Sequence, residues 1–175
     1  MKGNFDECLA LVLKDEGGWV NNKKDPGGET NLGVTKKTWE KWTGETIPPG
    51  GMKAVTPKDV IPLYRAMYWD AVRGDELPNG VDYALFDFAV NSGPARAIKT
   101  LQQILGTTPD GIFGPKTMAK VMAYPPRDLI DEICEKRLEF LQGLATWSSF
   151  GRGWSGRVTR VERAAFDMAT QGSVA

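Results

Sequence analysis

The 175-residue sequence has no histidine, only two cysteines, no excess of either charge and no long apolar run. Each shortage excludes a class of function. Ser-His-Asp and Cys-His hydrolases both relay a proton through imidazole, so neither chemistry is available. The usual catalytic zinc sites go with it, because Cys8 and Cys134 are all that remains of nitrogen- or sulfur-type ligands. Lys and Arg number 22 and Asp and Glu number 22, a balance that argues against a dedicated nucleic-acid binder. No apolar stretch approaches the roughly 20 residues of a membrane span. Asp6 and Glu7 stand where an export signal would turn apolar, so the expectation is a protein made in the cytoplasm without one. The two cysteines read as reduced core thiols. Hydrolytic chemistry is left to carboxylates, hydroxyls, Lys and Tyr.

What is present is a helical period along most of the chain. Asn4 and Glu7 form a capping-box-like pair ahead of the stripe Phe5, Leu9, Val12 and Leu13. Gly17-Gly18 should stop that helix, leaving Glu16 at its carboxyl end. Residues 21–28 are turn-rich, an extended piece follows through Leu32-Gly33-Val34, and Thr35 caps a helix bearing Trp39 and Trp42. Thr56-Pro57 starts another helix, which Pro62 should bend. Further helices carry Val81 to Phe88 and Ala97 to Leu105. Pro125-Pro126 is expected to open the longest one, with Ile130, Ile133, Cys134, Arg137, Leu138 and Leu141 on its stripe. A glycine- and tryptophan-rich loop over residues 150–154 should precede the last helix. The fold class predicted is mainly α, with a small β-hairpin or irregular element near residues 19–35. Pro94 marks the expected boundary, between residues 1–93 and a helical part over 94–175.

Glu16 is the first candidate for chemistry. A carboxylate at a helix carboxyl terminus faces the negative end of the dipole, and a nearby Trp19 would desolvate it; both favour the protonated form that a general acid needs. On these features alone Glu16 reads more readily as a polar residue closing a helix. Asp25, held by Pro26 and two glycines, can place a second carboxylate across a cleft, or simply shape its turn. Two carboxylates in different environments suffice for glycoside hydrolysis. Thr30 offers a hydroxyl able to hold a water. Trp39, Trp42, Tyr64, Tyr68 and Trp69 lie at helical spacing and read as core more than as sugar platforms, and Arg152, Arg157, Arg160 and Arg163 read as a solvated helix face.

The runs Glu16-Gly17-Gly18-Trp19-Val20-Asn21 and Asp25-Pro26-Gly27-Gly28-Glu29-Thr30-Asn31-Leu32-Gly33-Val34-Thr35 resemble the signature of glycoside hydrolase family 108, bacterial and phage muramidases of the lysozyme superfamily. The resemblance continues through residues 86–94, and residues 101–103, 110–117 and 150–157 are similar to the peptidoglycan-binding domain that follows the catalytic part in this family. It implies a lysozyme-like helical fold, a catalytic part over 1–93 and a wall-binding part over 94–175, packed as one unit. It implies an endolysin-like N-acetylmuramidase that cleaves the β-1,4 bond between N-acetylmuramic acid and N-acetylglucosamine in peptidoglycan. Glu16 would be the acid, completed by Asp25 and Thr30, although Thr30 stands one position earlier than in the wider phage-lysozyme pattern. Trp19, where the family commonly has Tyr, would wall the cleft, and Asn91 would hydrogen-bond a sugar substituent. No cofactor, metal, nucleic acid or transmembrane segment is implied. The partner is the bacterial wall, reached as a monomer through a phage holin or a dedicated release route. The alternatives are a lytic transglycosylase, which leaves 1,6-anhydro ends, and a non-catalytic wall-binding module.

Overall fold

A computed structural model describes residues 4–21 and 28–171. Its elements run α1 (Phe5–Glu16), β1 (Thr30–Asn31), β2 (Val34–Thr35), α2 (Lys36–Thr43), a 3-10 turn (Gly51–Ala54), α3 (Pro57–Tyr64), a π-helical turn (Arg65–Trp69), a 3-10 turn (Gly74–Glu76), α4 (Val81–Ser92), α5 (Pro94–Ile104), α6 (Pro115–Ala123), α7 (Pro126–Gln142) and α8 (Trp147–Gln171). The architecture is the expected mainly α, lysozyme-like one, with a single small antiparallel hairpin among the described residues. The chain divides into two compact units, Leu9–Ala66 and Met1–Cys8 with Met67–Ala175.

In the Leu9–Ala66 unit the hairpin pairs Thr30 with Thr35 and Asn31 with Val34. Its two-residue turn, Leu32-Gly33, has positive φ at both positions (50° and 75°), the primed geometry that suits the twist of paired strands. Gly33 adopts it freely, whereas Leu32 carries a Cβ penalty. The Tyr64 hydroxyl donates to the Leu32 carbonyl at 2.8 Å and so ties the strained turn to α3. Val20 forms a bridge with Thr30, fastening the loop after α1 to β1. Buried Asn31 donates its amide to the Met52 and Val55 carbonyls at 2.9 and 3.0 Å, which anchors the strand to the 3-10 turn. Thr35 caps α2 as the sequence predicts, its hydroxyl accepting from the Thr38 amide. Pro62 sits inside α3, and the helix widens to a π-helical turn directly after it.

The other unit is built around α4, whose residues 81–89 are all buried. Such a helix, apolar all round, has to be wrapped by neighbours; α5, α7 and α8 pack on it. Phe5, Trp69 and Phe86 meet edge-on at one end of this core. Inside it lies a charge cluster: Asp87 pairs with Arg137 Nη1 at 2.7 Å and with Arg157 Nη2 at 2.8 Å. Burial pushes the Asp87 carboxyl upward, but the two guanidiniums outweigh it and hold the group below the ordinary carboxylate range.

Several expectations are corrected, among them the extended piece through Leu32-Gly33-Val34, whose first two residues form the hairpin turn. Residues 150–154 are helical, inside α8, because Gly151 leaves its side clear for the Trp147 ring; a methyl group there would lie 2.6 Å from that ring. At 25 residues α8, rather than α7, is therefore the longest helix. Arg157 is buried in the Asp87 cluster and is not part of a solvated face. Among the aromatic residues, Tyr64 and Trp69 are core, whereas Trp42 is exposed. Both cysteines are free and buried, and burial raises both thiols well above their usual range, which leaves them unreactive.

Candidate active site

The site grows from the end of α1. Gly17 takes φ 74°, the left-handed conformation that closes a helix, so Glu16 is the last helical residue and the chain turns away immediately after it. The Glu16 side chain is half-buried, with Oε1 shielded from solvent. Its carboxylate lies over the bare Cα of Gly33: a methyl group added there would sit 2.9 Å from Oε2 and 3.0 Å from Cγ. The Tyr64 hydroxyl abuts the same point. The acid is thus set against a rigid hairpin turn and a buried phenol rather than hanging in open solvent.

Trp19 follows three residues later, a span of at most about 11 Å. It is 42% exposed. Its indole N–H donates to Glu29 Oε2 at 3.5 Å, and the Lys53 ammonium lies 5.5 Å from its ring centroid. The same Glu29 oxygen accepts the Met52 amide at 2.9 Å. Gly51 clears the way, since a Cβ there would come 2.7 Å from that oxygen.

Thr30 exchanges both of its backbone hydrogen bonds with Val20, at 2.8 and 2.9 Å, so it is held beside the loop that carries Trp19. The Leu9–Ala66 unit thus holds Glu16 against the hairpin turn and Thr30 beside the loop that carries Trp19. Asp25 lies outside the described residues. Asn91 belongs to the other unit, near the end of α4, where its Oδ1 accepts from Arg137 Nη2 and from Ser92 Oγ, both at 3.3 Å. The amide oxygen is thus held by two donors. Among the described residues, no group of three or more Cys, Asp or Glu side chains is placed to hold a metal ion.

Sequence reasoning passed over Gly33, Tyr64, Glu29 and Lys53 as site residues. Gly33 and Glu29 stand inside the quoted motif, and Tyr64 was assigned to the core, where it is; its hydroxyl, however, reaches the turn beneath Glu16. Lys53 carries no pattern of its own in the sequence.

A family model described as glycosyl hydrolase 108 matches residues 9–93, and one described as a predicted peptidoglycan domain matches residues 96–159. Among solved structures, one titled "Structure of Brucella abortus SagA" is 44% identical, covers 95% of each chain and superposes with a TM-score of 0.85. No curated protein matches the chain.

Proposed function

Because the chain belongs to the glycosyl hydrolase 108 family and carries a predicted peptidoglycan domain behind the hydrolase segment, we propose that this glycoside hydrolase is an N-acetylmuramidase. Its substrate on this reading is peptidoglycan, cut at the β-1,4 bond between N-acetylmuramic acid and N-acetylglucosamine. The observation that carries it is the placement of Glu16, half-buried against Gly33 and Tyr64, with an exposed tryptophan three residues on. A carboxyl held beside a sugar wall is placed to donate a proton to the bridging oxygen.

The reaction then follows glycosidase chemistry. Glu16 gives its proton to the glycosidic oxygen as the C1–O bond breaks, and positive charge spreads over C1 and the ring oxygen. Asp25 stabilises that charge or takes a proton from the attacking water, whose hydroxyl ends on C1. Thr30 orients the water, Trp19 packs on a pyranose face, and Asn91 donates to a sugar acceptor such as an acetamido carbonyl. The product bears a hydrated reducing end. Action on the wall requires release from the cytoplasm, for which a holin or a dedicated route is the fitting means.

Mass spectrometry of purified sacculi after digestion tests this reading. Wild type should release fragments with hydrated reducing N-acetylmuramic acid ends. Glu16→Gln should keep the fold and wall binding while losing turnover by orders of magnitude, and Asp25→Asn should lose most of it. Fragments ending in 1,6-anhydro sugars would replace hydrolysis with transglycosylation, and a fully lytic Glu16→Gln protein would remove Glu16 as the acid.

A further inference from the structure

The cluster Trp19, Glu29 and Lys53 contains more order than an aromatic wall requires. An exposed indole would ordinarily sample several rotamers, and an exposed lysine more still. Here one carboxylate oxygen engages both the indole N–H of Trp19 and the backbone N–H of Met52, the residue before Lys53. The 3-10 turn that carries Lys53 opens at Gly51, whose positive φ of 70° and missing side chain admit the Glu29 carboxylate. Asn31 fastens the same turn to β1 through the Met52 and Val55 carbonyls. The ammonium of Lys53 and the indole of Trp19 are thereby presented side by side, 5.5 Å from nitrogen to ring centroid.

We propose that these residues form a subsite for an acidic sugar, in which Trp19 carries the pyranose and Lys53 takes the lactyl carboxylate of a muramic acid that bears no stem peptide. Resting on the muramidase reading, this assigns a source of selectivity for peptide-free muramic acid, whose lactyl carboxyl is not tied up as an amide, over uncharged β-1,4-linked N-acetylglucosamine polymers. Glu29 is the positioning residue: it fixes the indole edge and the backbone of the turn without touching the sugar. A lysine suits the task because its ammonium is a compact charge on a mobile stem that can leave the indole for the ligand. Lys53 is exposed, so its pairing with a ligand carboxylate is screened by solvent and contributes selectivity rather than most of the affinity.

Calorimetric titration of the full-length Glu16→Gln protein separates these roles. The probes are soluble peptide-free glycan fragments of peptidoglycan with free lactyl carboxylates, and the same fragments after methyl esterification. The protein should bind the free-acid fragments about two- to five-fold more tightly, the range of an exposed ion pair, and the difference should fade in high salt. Adding Lys53→Met should abolish that preference while leaving affinity for the esters unchanged, and Lys53→Arg should restore it. Adding Glu29→Ala should weaken both probes alike, with Glu29→Gln recovering most of the loss. Equal binding of the two probes by the Lys53-containing protein, or a Lys53→Met effect of the same size on both, would overturn the subsite, as would binding of neither. Failure of the wild-type enzyme to release reducing ends from sacculi would instead count against the muramidase reading.

Discussion

Glu16 and Gly33 are matched: the carboxylate of one occupies the space that a side chain on the other would need. A methyl group at position 33 would approach Oε2 to 2.9 Å, and the backbone there holds φ at 75°. The hairpin turn is thus the floor under the acid, and its glycine is required both for conformation and for room.

Gly33→Ala should therefore cost on two counts. Forcing a side chain into the left-handed region destabilises by about 1–3 kcal/mol, and the added methyl displaces the Glu16 carboxylate. Thermal denaturation should show the first, and wall-clearing rates should fall by much more than the lost stability accounts for. Unchanged turnover would detach the turn from the acid.

Tyr64→Phe removes the hydroxyl that donates to Leu32 at 2.8 Å while leaving the ring in the core. Stability should drop by about 1 kcal/mol, the usual contribution of one hydrogen bond. Activity should fall several-fold, because Leu32 at φ 50° loses the contact that holds it in a strained conformation. A double-mutant cycle with Gly33→Ala should be non-additive, as expected for neighbours.

Asp82 sets a pH dependence in the other unit. Burial pushes its carboxyl up to about 6, although the Tyr83 and Gly80 amides and the Asn4 side chain oppose the shift. An acid raised above its unfolded value of roughly 3.9 binds more protons folded than unfolded in between. Stability should thus decline as pH rises from about 4 to 6 and then level off. Asp82→Asn should flatten that slope and stabilise the protein at neutral pH by ~3 kcal/mol at most. Denaturant melts across that range check the sign, and an unaltered slope would acquit Asp82.

Asn91→Asp keeps an acceptor for Arg137 but replaces the outward amide donor with an oxygen. The melting temperature should hold or rise, while the rate of wall digestion falls up to about ten-fold, the loss of one hydrogen bond. A variant as active as wild type would take Asn91 out of sugar binding.

Much of this was legible along the chain because it is local. The Gly17 stop after Glu16 and the Thr35 cap each depend on residues a few positions apart, whereas Leu32-Gly33, expected to be extended, is itself the hairpin turn. What escaped depends on partners distant in sequence. Arg137 falls on the apolar stripe of α7 because its partner, Asp87, is fifty residues earlier. Arg157 looked solvated for the same reason. Asn4 shows the competition directly: its side chain donates to Asp82 at 3.1 Å, a contact that a capping-box pattern does not contain. Gly151 and Gly153 signal a break by propensity, yet packing of Trp147 over Gly151 keeps the helix running.

Asp87 also bears on how the protein can be divided. It stands in the segment matched by the hydrolase family, while Arg137 and Arg157 both stand in the segment matched by the peptidoglycan family. Scissors placed at residue 94 would orphan a carboxylate on one fragment and a guanidinium pair on the other, each amid apolar side chains and each penalised by several kcal/mol. The two families meet here as co-owners of one electrostatic lock, so neither segment inherits a self-sufficient interior.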